Sequence, residues 1–549
     1  MIDARIPDPM LPGGFSIASA HPAAQRMSVP RQTRLSAACW PGVATIAWLF
    51  TYSPAAAVDL GSIDEFDLRL DTTVRTSLAV RVLPQDARLL GNANADDGDR
   101  AFRPGPVSER VDFTSQADVS RGELGFNLGI DGWYDAAYHA EDADRSSATF
   151  NPVSVPVGSV PADVRRLMGG TVELSQAYVR DHFEVADIPV TVRVGRQTLL
   201  WGESLFFAQN GIAAGQAPVD VVKQLSQPLI QSKEVFLPVT QAAIRIGLPS
   251  GVSLEGYDQF EWRRDRTPGV GSYFSTSDVF DVGGQRAFIP DGTTLLRGKD
   301  QTPSGKGQFG LALRRSSDTL DLGLYALRYD ARSPQLATID PSGGTYRAVF
   351  PIGIELAGIS ASTYLGDDIL AGEVSSRWHM PLVSRGFALV SATGPSEPAP
   401  TGGYATGQTL AALISFVRQL PPGRLWRSAT FAAEFAASDL LRVESHRESR
   451  RPGTSSAATA VETVFTTQYY QVLPGLDLTP QAGLNIGLSG RSSVAAGMQV
   501  GAGTFTASLS GTYRTVWTGG ISLSHFIGPP RQQDLADRDF VMVSLSRTF

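Results

Sequence analysis

The sequence predicts an all-β protein: a closed antiparallel transmembrane β-barrel of about 16 strands (range 14–18), with an inward-folded loop containing a short helix. Three observations predict it. The chain opens with a secretion signal, continues in long segments that alternate strictly between apolar and polar residues, and ends on a strand with a terminal aromatic, Phe549. After the signal, no run of 18 consecutive apolar residues offers a membrane-spanning helix.

The signal comes first in the chain. Arg31 and Arg34 precede the apolar run Leu35–Phe50, and Ser53-Pro54-Ala55-Ala56-Ala57 supplies the small residues of a cleavage site. The run is short and broken by Pro41-Gly42, which argues against a membrane anchor. Residues 1–57 therefore read as an N-terminal extension plus cleavable signal peptide, with Met27 a candidate start, because residues 1–26 fit no part of a signal. The single cysteine, Cys39, lies within this signal, and Ser36 stands three positions before it where a lipoprotein signal needs an apolar residue. Residues 58–549 then form one barrel domain without disulfides or thiolate metal ligands.

Composition agrees with a barrel. Only 18 % of residues are charged against 42 % hydrophobic, and 55 glycines and 35 prolines are spread along the chain. The net charge of −7 argues against nucleic acid as a partner.

The first mature strand spans Phe66–Val82. Its even positions are Phe66, Leu68, Leu70, Thr72, Val74, Thr76, Leu78, Val80 and Val82, whereas the odd ones include Asp67, Arg69, Asp71, Arg75 and Arg81. Globular strands usually run only about 5–6 residues. A strand this long, apolar on one face and charged on the other, fits a wall between lipid and a watery lumen, and so places Asp67, Arg69, Asp71, Arg75 and Arg81 on the lumen wall. The same alternation recurs at 242–248, 320–326, 476–488 and 505–513. A secreted β-sandwich or solenoid is the competing arrangement, and it does not account for two-faced strands of this length. Long Gly-, Pro-, Ser- and Asp-rich connections at 91–111, 145–172, 264–305, 332–350, 383–406 and 446–460 read as external loops, and the shorter turns as periplasmic ones.

One segment breaks the pattern. In the stretch RVGRQTLLWGES (193–204), the apolar positions change parity after Gly195. Either a one-residue bulge at 195–197 returns Trp201 to the lipid interface, or the strand has already left the membrane. Residues 204–240 then lose alternation, include a possible helix at Val219–Leu225 after Pro218, and carry too many large apolar residues to be disordered. They read as a loop folded into the lumen, with an external loop collapsed on itself as the alternative. The expected lumen and constriction residues are Arg196, Glu203, Phe206, Phe207, Asp220, Leu229, Lys233, Glu234 and Phe236, with Lys233 and Glu234 among the partners open to Arg196 and Glu203.

Catalytic chemistry is sparse. There is no G-x-S-x-G, H-E-x-x-H or phosphate loop, the histidines are scattered, and Ser524 and His525 point to opposite faces of one strand. No catalytic residue, metal site or cofactor is expected, and a barrel-type hydrolase ranks lowest.

The runs RVGRQTLLWGES, APVDVV, KEVFLPV and LEGYDQFEW and the end DRDFVMVSLSRTF appear in an order that resembles the proteobacterial outer-membrane family known as domain of unknown function 1302. Where that family usually has Asn-Pro-Val-Asp, this chain has Ala217-Pro218-Val219-Asp220. The resemblance implies an outer-membrane barrel reached by Sec-type secretion. It also implies genetic neighbours that include a resistance-nodulation-division exporter, a lipoprotein-carrier-like periplasmic protein, and enzymes handling steroids, terpenes or aromatic compounds. Expected partners are the bilayer and lipopolysaccharide, the barrel assembly machinery reading the strand that ends at Phe549, and that exporter and carrier. The leading functional expectation is a channel or conduit for hydrophobic or aromatic small molecules. The alternative is a non-conducting scaffold that docks an exporter or carrier.

Overall fold

The computed structural model describes residues 58–63, 65–227, 232–289, 292–340, 344–384, 403–494 and 498–549. The extension and signal peptide, Met27 and Cys39 included, lie outside the described residues.

Eighteen antiparallel strands close one ring. They are β1 (Phe66–Arg81), β2 (Gly105–Arg121), β3 (Leu124–Asp135), β4 (Gly170–Val185), β5 (Ile188–Gln197) and β6 (Val239–Leu248), followed by β7 (Val252–Gln259), β8 (Gln308–Ser316), β9 (Leu320–Tyr329), β10 (Ile354–Leu365), β11 (Asp368–Pro381) and β12 (Thr406–Leu420). The last six are β13 (Ser428–Ser445), β14 (Ala457–Leu473), β15 (Leu476–Ser489), β16 (Gly503–Tyr513), β17 (Trp517–Ile527) and β18 (Phe540–Thr548). Each pairs with its neighbour in sequence, and β18 pairs with β1 from Thr73↔Thr548 to Arg81↔Phe540, which closes the ring. A short strand, Val58–Ile63, pairs with the start of β1. The strand number lies at the upper end of the expected range, one hairpin above its centre. In strands such as β11, adjacent apolar residues (Ile369 and Leu370) and small ones (Gly372, Ser375 and Ser376) break the alternation, so the period-2 signal is weak in sequence.

Alternation decides which face meets lipid. Along β9, Leu320, Leu322 and Leu324 are exposed, whereas Tyr325, Leu327 and Tyr329 are buried inside. The same rule turns Ile359, Val374, Ile414, Phe435, Ile521, Leu523, Val543 and Leu545 outward. On a soluble protein this belt would be an aggregation hazard; facing acyl chains it costs nothing. Arg547 shares the outward parity of Val543 and Leu545, yet it is buried. Its guanidinium lies over the rings of Trp517 (5.3 Å) and Phe549 (4.5 Å), so aromatic faces shield a charge where apolar residues are usual.

Turns after even-numbered strands are short, whereas connections after odd-numbered strands are long and crowd the opposite end, the external one in barrels of this type. There Arg286–Phe288, Thr294–Arg297, Gln335–Asp340 and Thr345–Val349 form a four-stranded sheet outside the ring. Loop residues Ala101, Phe102, Tyr138, Val160, Val164, Met168, Tyr273, Phe274 and Leu535 pack on Ala79, Phe526 and Phe540 as an apolar cap over part of the mouth. Arg81, at the external end of β1, is fully buried beneath it, 2.8 Å from Asp99 and 3.0 Å from Asp537.

Placing a cation on the outward face measures the bilayer's contribution. Leu324→Arg, at the middle of β9, should destabilise the folded barrel by about 2–4 kcal/mol. Urea unfolding in lipid vesicles, monitored by heat-modifiable gel migration, reads the change, and the conservative Leu324→Ile should stay near wild type.

Candidate functional site: a strut across the lumen

The segment between β5 and β6 leaves the wall, crosses the lumen and returns. Pairing of β5 with β4 and β6 runs without a register shift through Gln197, so no bulge restores Trp201 to the lipid side. The expected interface position of Trp201 is therefore corrected. The strand ends at Gln197, and Trp201, only 2 % exposed, turns inward. Its ring packs on Tyr257 (centroids 5.1 Å apart) and Tyr325 (5.8 Å), and its Nε1 donates to Glu255 Oε2 at 2.9 Å. Ile212 joins this near-wall cluster with Leu327, Tyr329, Ile354 and Leu356. On its external side lies a buried amide tier: Gln241 donates to Gln197 O (3.0 Å), Gln259 donates to Gln216 O (2.5 Å), and Arg332 donates to Gln259 Oε1 (3.0 Å).

Two wall glutamates hold the crossing. Glu373, on β11, accepts the Glu203 N–H (2.7 Å) on one oxygen and the Ile212 N–H (2.8 Å) on the other. The backbone can come this close because Gly202 (φ +95°) and Gly211 flank the carboxylate; a Cβ on either would stand 2.2 or 2.3 Å from its oxygens. Glu434, on β13, accepts the N–H groups of Leu205 (2.6 Å), Phe206 (3.1 Å) and Phe207 (2.6 Å) and the hydroxyls of Ser204 (3.0 Å) and Ser415 (2.6 Å). It is fully buried, so these five donors are what replace its water. Arg377 of β11 reaches in the other sense, donating to the carbonyls of Asn210 and Gly211 at 2.7 Å each. Phe207 packs against Leu413, Ala436, Ala458, Ala460 and Met498 on the far side. β13 stands eight strands from β5 in a ring of eighteen, so the segment is a strut between nearly opposite walls.

The return arm is tied near β4. Asp220 caps the helix Val221–Ser226 by accepting the Lys223 N–H, and it pairs with Arg266 at 2.7 Å. Arg266 also holds Glu173 of β4, which Arg263 meets at 3.2 Å. Val219 bridges Phe236, which with Ala208, Ala213, Ala217 and Val235 forms the strut's own small core. Beside this arm a cavity of about 350 Å³ is lined by Trp133, Leu167 and Thr171 and by Asp163, Arg166, Arg263, Arg264 and Asp265. Burial pushes the Asp265 carboxyl up, against the hydrogen bonds from Ser333 and the Val219 N–H and the fields of Arg332 and Arg264.

The expected residues fall into distinct places. Glu203 sits in the strut 4.0 Å from Arg314, and Phe206 and Phe207 lie at its far tip. Asp220 and Phe236 stabilise the return arm itself, and Glu234 is exposed. Leu229 and the Lys233 side chain lie outside the described residues. Arg196 is not in the lumen: with no bulge it keeps the outward parity of Val194, and at the external rim it pairs with Glu261 at 3.0 Å and donates to Leu174 O. In place of Glu234, Arg196 meets Glu261, which is also held by Thr240 N (2.9 Å) and Oγ1 (2.8 Å). On β1, Arg69 pairs with Asp71 at 2.9 Å, Asp67 is exposed near the short-turn end, and Arg75 lies near Asp112 and Met542. Phe549 closes the seam by donating its N–H to Thr72 O at 2.7 Å. Sequence reasoning missed Glu373, Arg377 and Glu434. Their signal was a charge on the inward parity of otherwise small-residue strands, each opposite a strut it could not be seen to meet.

These features define a membrane-spanning β-barrel whose lumen is crossed by a fixed strut. The chain belongs to the family described as protein of unknown function (DUF1302), whose model matches residues 40–549. No curated protein matches it. Among solved structures it is similar to Acinetobacter baumannii OccAB1, at 11 % identity and TM-score 0.40 over 90 % of this chain and 98 % of that one. A BenF-like porin from Pseudomonas fluorescens Pf-5 is similar at 11 % identity and TM-score 0.40, over 88 % and 98 %.

Removing the far anchor should free the strut without opening the wall. Glu434→Ala leaves three backbone N–H groups and two hydroxyls without their acceptor, each orphaned buried donor costing about 1–3 kcal/mol. Limited proteolysis of the folded barrel should then cut within residues 203–216, where wild type resists, while heat-modifiable migration persists.

Proposed function

We propose that this protein is an outer-membrane conduit for hydrophobic or aromatic small molecules, in which the strut narrows and shapes the passage. The observation that carries the reading is the strut itself. A protein that used its barrel only as an anchor would have no need to fix a 40-residue segment between opposite walls with buried carboxylates. Preorganised loops inside a barrel restrict and select what passes.

The substrate class is supported by the linings. The external cavity pairs Trp133 with several arginines, which suits flat apolar molecules carrying a polar group. The barrel's outer wall adds an apolar groove of about 710 Å³ between Leu313, Leu324, Ile359, Val374 and Ile414, floored by Ala361 and Gly372, where such molecules would partition. No covalent step is part of this reading. Working partners would be an exporter and a lipoprotein-carrier-like protein on the periplasmic side, with lipopolysaccharide around the rim and the assembly machinery at the strand ending in Phe549. The non-conducting scaffold is the second reading; it rests on the apolar cap over the mouth.

Planar-bilayer recording separates the two. The purified barrel should conduct, and deletion of residues 206–237 should raise single-channel conductance severalfold. A silent wild type that also fails to admit aromatic probes into liposomes selects the scaffold, and a deletion without effect removes the strut from the passage.

A further inference from the structure

Three external loops bring four aspartates into one enclosed cluster. Asp96 and Asp97 come from the β1–β2 loop, Asp144 from the β3–β4 loop and Asp278 from the β7–β8 loop. None is more than 1 % exposed. Carboxylate oxygens of Asp96, Asp97 and Asp278 lie within 4.8 Å of one another, and the Ala143 N–H to Ala101 O bond (3.0 Å) holds the Asp144 loop against the loop that carries Asp96 and Asp97.

The pattern of hydrogen bonds is the same at all four. One oxygen of each is engaged: Asp96 Oδ2 by Arg100, Asp97 Oδ2 by the Asn151 N–H (2.8 Å), Asp278 Oδ2 by the Asp97 N–H (3.2 Å) and Asp144 Oδ1 by the Ser146 N–H (2.7 Å). The other oxygen of each, Oδ1 of Asp96, Asp97 and Asp278 and Oδ2 of Asp144, is buried with no hydrogen-bond partner in the protein. Four such orphans are not how a dry acidic cluster is satisfied, since each would cost free energy and each anion would repel the others. Arg100 is the one cation ion-paired to any of the four among the described residues.

We propose that Asp96, Asp97 and Asp278 form a calcium site, flanked by Asp144 with its own unsatisfied buried oxygen, that clamps the external loops together. The donor set is all oxygen and all carboxylate, which suits a hard divalent cation and not zinc or copper. Ca²⁺ accepts six to eight oxygen ligands in flexible geometry, whereas Mg²⁺ holds its own waters and favours a wetter, octahedral site. The scaffold around the cluster is already cross-linked, because Asp278 donates its N–H to Asn94 O (2.8 Å) and Asn151 Nδ2 donates to Arg286 O (2.5 Å). A cation at the centre therefore joins loops whose backbones already meet. This holds whether or not the barrel conducts.

The test uses the full mature barrel, refolded in detergent without lipopolysaccharide and stripped with EDTA, so that lipid-bound calcium does not contribute. Isothermal titration with CaCl₂ should show one saturable site per chain. Hydrogen exchange should slow on calcium addition at 94–101, 144–151 and 276–281. The double variant Asp97→Asn, Asp278→Asn should lose affinity at least tenfold, while Asp367→Asn, in an exposed short turn, should not. Asparagine relieves the repulsion and keeps the engaged oxygens, and heat-modifiable migration checks that the variant is folded. No saturable calcium binding by the folded wild type, binding of Mg²⁺ in its place, or an affinity unchanged in the double variant overturns the proposal.

Discussion

The interior of this barrel is organised around two carboxylates that face away from lipid and have no access to bulk water. Glu434 and Glu373 sit on inward positions of β13 and β11, and their charge has to be met by donors from inside the ring. Side chains of neighbouring strands supply only Ser415; the remaining donors are N–H groups and one hydroxyl of the crossing segment. That requirement fixes the path of the strut, places glycine at positions 202 and 211, and commits Trp201 to the aromatic floor against Tyr257. The relation is reciprocal. Without the strut the glutamates would face the lumen with none of these fixed donors, and without the glutamates six strut donors would lose the acceptors that hold them across it, leaving Arg377 alone on the Asn210 and Gly211 carbonyls.

The runs that mark the family resemblance are largely the parts of this attachment. Within WGES, Trp201 fills the near-wall cluster, Gly202 admits Glu373, Glu203 donates to it, and Ser204 reaches Glu434. In APVDVV, Asp220 caps a helical turn and meets Arg266; in LEGYDQFEW, Glu255 receives the Trp201 indole and Glu261 receives Arg196.

The wall was legible in sequence because period-2 alternation is a direct consequence of having lipid on one side and side chains on the other. β1 begins at Phe66 and ends one residue short of its expected limit, and the helix expected at 219–225 forms at Val221–Ser226, shifted because Asp220 supplies the cap. The loop's inward course was also legible, from apolar residues outside any alternation. Its partners were not. A parity change after Gly195 can be rescued by a bulge or can mean that the strand has ended, and only the unbroken register through Gln197 distinguishes them. The bulge would have put Trp201 at the lipid interface, and the ended strand turns it inward. Arg196 was misplaced separately, its outward parity set aside for an inward-loop role. The aspartate cluster was invisible for another reason: its members are separated by up to 182 positions and meet only when three loops fold over the mouth.

The seam has a kinetic meaning. β1 pairs with β18, so the ring has no last hydrogen-bonded edge until the chain has been made to its final residues and Phe549 meets Thr72. The strut leaves from β5 but is gripped by β11 and β13, which lie far along the chain. Its attachment is therefore a contact of long sequence separation, made only once β11 and β13 stand across the ring from β5. An open sheet has room for that segment to swing into place, and a closed one does not. Closure at the seam is thus the step that converts a loop beside a sheet into a beam inside a tube.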